Sequence, residues 1–164
     1  MAAEGDARFM DEAYRLAKQS FDEGGLPIGS VLVRGGAVIG RGHNQRVQQG
    51  NPILHGEMDC IRSAGRQATY RDTTLYTTLS PCMMCAGTIV QFGIPRVVIG
   101  ENVNFGGNED FLKSRGVDVR ILGHRPSIDL MARLKRERPA VWAEDIGEDA
   151  PAPAAASGGN SPCT

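Results

Sequence analysis

Two short motifs contain residue types that bind zinc. The first is His55-Gly56-Glu57, and the second is a Pro-Cys-Met-Met-Cys run that ends at Cys85. Cys82 and Cys85 are three residues apart, so on a helix both sulfurs lie on one side. A place in the first helical turn also favours their thiolate forms, because a helix N-terminus carries partial positive charge. We therefore predict that His55, Cys82 and Cys85 bind one Zn²⁺ ion per subunit.

A carboxylate follows the histidine and can move protons beside such an ion. Three protein ligands leave the fourth position to water or hydroxide, as in catalytic zinc sites, whereas structural sites fill all four positions with protein. Zinc lowers the pKa of a bound water to about 7, and Glu57 can take that proton and pass it to a substrate. Cys60 is unsuited as a fourth ligand, because helical residues five apart point about 140° away from each other. The spacing predicts a zinc hydrolase with Glu57 as its catalytic residue.

Hydrophobic periodicity and chain-breaking residues predict five helices and five strands. The helices are expected at residues 7–23, 55–65, 82–92, 108–115 and 127–137, and the strands at 30–33, 37–40, 74–79, 97–99 and 117–122. The polar residues 43–54 predict a loop, and Ser80 suits the N-cap of the third helix with Pro81 at its first position. We expect an α/β fold with a mixed sheet, in which an initial antiparallel hairpin joins parallel strands that are separated by helices on both faces.

Composition and charge limit the partners of the chain. A length of 164 residues fits one domain, which we place at residues 1–148, whereas the Ala, Pro, Ser and Gly of residues 149–164 predict a disordered tail. The net charge of −1 disfavours nucleic acid as a partner, and no apolar run reaches the about 18 residues of a membrane helix. The four cysteines form no disulfide pattern, and residues 1–6 lack the features of a signal peptide, so a reducing, cytoplasmic location is expected.

Several segments resemble the fungal-type cytosine deaminases of the zinc-dependent cytidine and deoxycytidylate deaminase superfamily. His-x-Glu followed by Pro-Cys-x-x-Cys is the signature of zinc deaminases. The similarity extends over residues 7–148 and is carried by residues 24–29, 40–44, 72–82, 93–96, 100–105, 137–139, Trp142 and 144–148. This resemblance implies a cytidine-deaminase-like fold, which is a three-layer α/β/α sandwich around a five-stranded sheet. It also implies a homodimer that hydrolyses free cytosine to uracil and ammonia.

The resemblance further implies roles for residues around the predicted zinc site. It places zinc ligands at His55, Cys82 and Cys85 and a proton shuttle at Glu57, in agreement with the spacing. The positions expected to bind the substrate are Ile28, Asn44, Gly56, Ser80, Phe105, Trp142 and Asp145. Aromatic and aliphatic walls suit a flat ring, and the amide of Asn44 can donate to cytosine O2. The carboxylate of Asp145 can accept the N–H that a free base carries where a nucleoside carries ribose, which would select the base.

Other functions share parts of this pattern. A deaminase of another small ring, such as guanine, creatinine or a triazine, would use the same zinc chemistry. Ala143 stands where the fungal enzymes carry an aromatic residue, and it would enlarge the pocket for such a ring. A tRNA adenosine deaminase would need a basic surface, and a zinc-stabilised binding module would add a fourth protein ligand and leave Glu57 inert. On residue type alone, Asn44 could stabilise its loop, Trp142 fill the core and Asp145 cap a helical turn.

Overall fold

The computed structural model describes residues 2–152, with side chains from residue 5 onward, and these fold around one five-stranded sheet. The strands are β1 (Gly29–Arg34), β2 (Ala37–His43), β3 (Thr73–Leu79), β4 (Arg96–Glu101) and β5 (Asp118–Ile121). Their order across the sheet is β2-β1-β3-β4-β5. Strand β1 runs antiparallel to β2 and β3, whereas β3, β4 and β5 are parallel. The predicted mixed sheet is confirmed.

Helices cover both faces of this sheet. They are α1 (Ala2–Asp22), α2 (Arg46–Gln49), α3 (Gly56–Ala64), α4 (Met83–Phe92), α5 (Glu109–Ser114), α6 (Arg125–Glu137) and α7 (Pro139–Ile146). Helices α1 and α6 pack on one face, and α3, α4 and α5 pack on the other. This arrangement is the three-layer α/β/α sandwich that was predicted.

The two faces are sorted by the alternation of side chains along each strand. Val31 and Val33 of β1 pack with residues of α1, whereas Leu32 between them packs with residues of α3 and α4. The strand residues that share the α3 face with Leu32 are Leu75, Val97 and Ile99. Burying each aliphatic side chain contributes about 1.5–3 kcal/mol to folding. The same alternation decides which polar strand residues can reach the predicted site.

Two helices were not among those predicted. The predicted loop 43–54 contains the single turn α2, and the Oδ1 atom of Asn44 accepts a hydrogen bond of 3.1 Å from the backbone N of Arg46 at its start. The C-terminal segment forms α7, which begins with Pro139 in the favourable first position and buries Trp142. Both helices are too short for hydrophobic periodicity to distinguish them from loops.

The starts of two other helices also differ from the prediction. Helix α1 begins at Ala2 rather than at residue 7, five residues before the apolar repeat from which it was predicted. Helix α4 begins at Met83 with Cys82 as its N-cap, so the prediction of Ser80 as the N-cap is wrong. The hydroxyl of Ser80 instead donates a hydrogen bond of 2.9 Å to Oε1 of Glu109.

The tail and the domain limits are described only in part. Residues 149–152 have no regular secondary structure, and residues 153–164 of the predicted tail lie outside the described residues. The division into a domain of residues 1–148 and a disordered tail stays a prediction. Among the described residues, every helix is too short or too polar to cross a membrane.

Helix α3 lies very close to β2, at two glycines. A Cβ atom on Gly40 would lie 2.7 Å from the carbonyl oxygen of Cys60, and one on Gly42 would overlap the backbone N of Cys60. Neither strand position therefore has room for a side chain. This contact fixes the distance between the sheet and α3, which begins directly after His55.

We expect Gly42→Ala to lower the free energy of unfolding by about 3 kcal/mol, because α3 must move away from the sheet to admit the methyl group. The measurement is urea unfolding of the full chain. Gly5→Ala is the matched control, since a Cβ there meets no atom within 4 Å. At this partly exposed helix position the change should leave stability equal or raise it by up to about 1 kcal/mol. Equal stability of Gly42→Ala and the unmodified chain would contradict the interpretation.

Candidate active site

The starts of α3 and α4 meet on one side of the sheet and carry the predicted zinc ligands. His55 is the N-cap of α3 and Cys82 is the N-cap of α4, and both have extended backbones, with φ −68° and ψ 164° or 173°. Cys85 lies in the first turn of α4. One ligand atom from each of the three residues lies within 4.8 Å of the other two. The structure therefore brings together the three residues that the motif spacing selected.

The geometry of this group fits a tetrahedral zinc ion. The Nδ1 atom of His55 lies 3.5 Å from the Sγ atom of Cys82. Tetrahedral bonds of about 2.0–2.3 Å to nitrogen and sulfur separate the ligand atoms by about the same distance. Among the described residues, the group has no fourth member that is a histidine, a cysteine or an acidic residue. The buried Cys60 lies outside the group, as predicted. The donor set is that of a catalytic zinc site with one position left for water.

The protein groups of the site change one another's pKa values. Hydrogen bonds with Cys85 and His55 lower the pKa of the Cys82 thiol to about 4, although burial alone would raise it. This thiol is therefore deprotonated at neutral pH. Burial, followed by the negative charge of Cys82, raises the pKa of Glu57 to about 6. A carboxyl group with a pKa close to neutral can both accept and donate a proton during turnover.

Glu57 is held beneath the ligand group with its two carboxylate oxygens in different surroundings. Its exposed fraction is 3%. The Oε2 atom lies 3.4 Å from the Sγ atom of Cys85, on the side of the zinc ligands. The Oε1 atom faces the sheet and accepts a hydrogen bond of 3.1 Å from the hydroxyl of Thr77. Motif spacing does not identify Thr77, because its position depends on the register between strands β1 and β3 and the helix above them.

Asp145 of α7 contacts the opposite side of the histidine ligand. Its Oδ1 atom lies 3.5 Å from Nε2 of His55 and 3.5 Å from Nη1 of Arg46, and it accepts a hydrogen bond of 3.0 Å from Nδ2 of Asn44. Carboxylates commonly hold the second nitrogen of a zinc-ligating histidine in this way. Burial raises the pKa of Asp145. The two polar residues expected to bind the substrate, Asn44 and Asp145, therefore also bind each other.

A small pocket opens onto the ligand group. It is lined by His55, Glu57 and Cys82, together with Ile28, Leu79, Ser80, Phe105, Trp142, Asp145 and Ile146. The space it encloses is about 10 Å³, which accommodates about one water molecule. The rings of Phe105 and Trp142 meet edge to face at 5.9 Å and form one wall. A substrate ring can enter this pocket only if part of the wall moves.

The predicted substrate-binding residues take different positions around this pocket. Five of them line it, namely Ile28, Ser80, Phe105, Trp142 and Asp145. Asn44 and Gly56 do not, and Asn44 is completely buried behind Asp145. Ala143, which was expected to enlarge the pocket, is buried and is not among the lining residues, so an enlarged pocket stays a prediction. Its neighbour Trp142 fills that part of the wall.

Two buried glutamates hold the loop that carries Phe105, and neither was identified from the sequence. Glu101 accepts hydrogen bonds of 2.7 and 2.9 Å from the backbone N atoms of Val103 and Asn104. Glu109 accepts one of 2.7 Å from the backbone N of Gly107. The sequence does contain a signal for these roles, because both glutamates flank a loop rich in glycine and asparagine. The same pattern also occurs in exposed loops, so it does not by itself identify a glutamate that holds a loop.

We expect the purified full chain to contain about one zinc ion per chain, and Cys82→Ser or His55→Ala to contain less than about one tenth of that, because each removes one of three ligands. Zinc is measured by mass spectrometry of metals after gel filtration. Cys60→Ala is the control, since it removes a buried sulfur outside the ligand group and should keep the zinc. Full zinc content in both ligand variants would contradict the site assignment.

Comparison with known proteins, like the geometry of the site, indicates a zinc-binding region. Residues 3–101 match the model of the cytidine and deoxycytidylate deaminase zinc-binding region. The cytosine deaminase of Candida albicans (strain SC5314 / ATCC MYA-2876) is 51% identical over 146 residues, which are 87% of this chain and 97% of that protein.

Deaminases that act on tRNA are also similar to the chain. The tRNA-specific adenosine deaminase of Streptococcus pyogenes serotype M18 is 42% identical over 125 residues, which are 74% of this chain and 77% of that protein. A solved structure from a study of tRNA:A34 deaminases has a TM-score of 0.67 at 29% identity and covers 76% of this chain and 99% of its own. The matched family region contains both zinc motifs, and the chain belongs to the zinc-dependent cytidine and deoxycytidylate deaminase family.

Proposed function

We propose that this chain hydrolyses free cytosine to uracil and ammonia, a reaction of pyrimidine salvage, with zinc held by His55, Cys82 and Cys85. The observation that carries the proposal is that the carboxylate of Asp145 lines the same pocket as Glu57 and two of the proposed zinc ligands, His55 and Cys82. A free base presents a ring N–H to such a carboxylate, whereas a nucleoside presents ribose. The similarity to the Candida albicans cytosine deaminase along nearly its whole length supports the same substrate.

Glu57 moves the protons in the proposed reaction. A bound zinc ion supplies acidity, because it lowers the pKa of a coordinated water to about 7. The Oε2 atom of Glu57 faces the zinc ligands, so it can take a proton from the attacking water and deliver it to N3 of the ring. Glu57 then takes the remaining proton from the oxygen that is now bound to C4 and gives it to the amino group, which leaves as ammonia while that oxygen becomes the carbonyl of uracil. Overall, a C4–O bond forms from water and the C4–N bond breaks.

The remaining residues of the pocket bind and orient the ring. Within the described residues, Oδ2 of Asp145 accepts no hydrogen bond, and we assign it to the ring N–H. Asn44 and Gly56 do not line the closed pocket, and we assign the second amide proton of Asn44 and the backbone N–H of Gly56 to O2 in the state that the pocket takes once the ring has entered. Gly56 is the first residue of α3, so its N–H has no acceptor within the helix. Phe105 and Trp142 cover the flat faces of the ring, and Ile28 and Ser80 complete the lining.

Helix α7 controls access in this proposal. It contributes Trp142, Asp145 and Ile146 to a pocket with room for about one water molecule. Cytosine therefore enters and uracil leaves when α7 or the loop around Phe105 moves outward. The closed state excludes water and strengthens the contacts to the reacting ring.

A homodimer and a cytoplasmic location complete the proposal. Helix α4 is rich in apolar residues, and its Met83 and Phe92 side chains are 57% and 44% exposed in the single chain although Ala86 and Ile89 are buried. A second copy can cover such exposed apolar side chains. A reducing compartment such as the cytoplasm keeps the thiols of Cys82 and Cys85 available for metal binding.

We expect ammonia release from cytosine and none from cytidine or a tRNA anticodon stem-loop, because Asp145 selects a base with a free ring N–H. We also expect none from adenine, guanine or creatinine, because their rings differ in size from the pyrimidine that the pocket is proposed to hold. Ammonia is measured by a coupled assay for each compound with the zinc-loaded chain. Asp145→Asn should lower kcat/KM for cytosine by about 10²-fold or more, since an amide cannot accept in the same way as a carboxylate. Release from cytidine but not from cytosine would overturn the role of Asp145, and release from the RNA alone would favour an adenosine deaminase.

We expect Glu57→Gln to keep about one zinc ion per chain and to lower kcat for cytosine by about 10²- to 10⁴-fold, because the amide cannot carry the proton. Zinc content and turnover are measured on the same sample. Glu137→Gln, at an exposed position on α6, is the matched control and should keep full activity. A fully active Glu57→Gln variant would exclude Glu57 as the proton shuttle.

A further inference from the structure

Thr77 is a buried polar residue directly beneath the proton shuttle. It lies in β3 with an exposed fraction of 0%, on the same face as Leu75, which packs towards α3. Its hydroxyl is 3.1 Å from Oε1 of Glu57 and 3.3 Å from the carbonyl oxygen of Leu79. Aliphatic residues fill several buried strand positions on this face, so a hydroxyl within hydrogen-bond distance of Glu57 calls for an explanation.

The two acceptors near Thr77 define what its hydroxyl can do. A carboxylate oxygen accepts hydrogen bonds more strongly than a neutral carbonyl, so the single proton of Thr77 points to Glu57 whenever Glu57 is ionised. The other side chain within hydrogen-bond distance of the Glu57 carboxylate, among the described residues, is Cys85 at Oε2. Zinc binds cysteine as thiolate, which has no proton to donate. With zinc bound, Thr77 is therefore the one side chain among the described residues that donates a hydrogen bond to Glu57.

This arrangement makes the two oxygens of Glu57 unequal. Oε1 is occupied on the sheet side by the Thr77 hydroxyl, and Oε2 is left facing the zinc ligands. Without the hydroxyl, the carboxylate loses the side-chain donor on its sheet side, so rotation about its terminal bond or withdrawal from the ligands becomes easier. Proton transfer requires heavy atoms within about 2.6–3.2 Å of each other, so a small displacement of Oε2 removes it from reach.

We propose that Thr77 is a positioning residue that fixes Oε1 of Glu57 and so directs Oε2 to the water and the substrate ring. The inference rests on the proposed role of Glu57 as proton shuttle. Thr77 does not touch the pocket itself, so its effect is confined to the rate of proton transfer. Substrate binding, which depends on Asp145 and the aromatic wall, is unaffected.

The neighbouring strand provides a matched comparison. Ser30 of β1 is paired with Thr77 in the antiparallel register, so both side chains lie on the same face of the sheet. Ser30 is also completely buried, but its hydroxyl has no hydrogen-bond partner within the described residues. Two buried hydroxyls thus lie side by side, and one of them contacts Glu57.

The test compares Thr77→Val, Thr77→Ser and Ser30→Ala in the zinc-loaded full chain, with kcat and KM for cytosine, zinc content and melting temperature measured for each. Thr77→Val keeps the shape and loses the hydroxyl, and we expect kcat per zinc to fall by about 10- to 100-fold with KM within about 3-fold of the unmodified chain. Thr77→Ser restores the hydroxyl and should return kcat to within about 3-fold. Ser30→Ala should leave both constants unchanged. If Thr77→Val does not fold, Thr77→Ala takes its place.

The outcomes separate this inference from the proposed function. Glu57→Gln is assayed in parallel. If Glu57→Gln is inactive while Thr77→Val is as fast as the unmodified chain, the proposal for Thr77 alone is overturned. A loss that appears in KM, that Thr77→Ser does not reverse, or that Ser30→Ala reproduces also overturns it. If Glu57→Gln itself keeps full turnover, the shuttle role and the inference built on it both fail.

Discussion

The N-termini of α3 and α4 point at the same small volume, and the rest of the site depends on how closely they approach each other. His55 and Cys82 are the N-caps of these helices, and their ligand atoms lie 3.5 Å apart. A metal ion tolerates errors of only about 0.2 Å in its ligand distances. The sheet provides that accuracy: α4 starts shortly after β3, and α3 is pressed against β2 where Gly40 and Gly42 carry no side chain. The partial positive charges of both helix ends then favour thiolates and anionic oxygens at the same point.

Two buried carboxyl groups lie on either side of this point and have different surroundings. Glu57 belongs to α3 and is held from below by Thr77, with one oxygen towards the zinc ligands. Asp145 belongs to α7 and is held by Asn44 and Arg46. Residues 3–101, which match the family, contain Glu57 but not Asp145. The proposed proton shuttle thus lies inside the segment that matches the family, whereas the carboxylate proposed to select the free base lies outside it.

Much of the fold and part of the site could be predicted because the signals are local. The strands alternate or are continuously apolar, and α4 and α6 carry long apolar repeats, so their order and the mixed sheet followed directly. The errors lie where the local signal is short or ambiguous. The single turn α2 and the helix α7 have too few residues to show a period. Ser80 and Pro81 have the residue types of a helix start, yet Glu109, which is distant in sequence, takes the hydroxyl of Ser80 and the helix begins after Cys82.

The sequence by itself determined the zinc ligands, the open fourth position and the role proposed for Glu57, because those follow from residue types at fixed short spacings. Only the tertiary structure decided which side chains surround them. The contact of Thr77 with Glu57 depends on strand register, the pairing of Asn44 with Asp145 joins residues about a hundred positions apart, and the position of Ala143 outside the pocket depends on how α7 packs. Such contacts are set by the packing of whole elements against each other, and that packing is a property of the entire core rather than of any short segment.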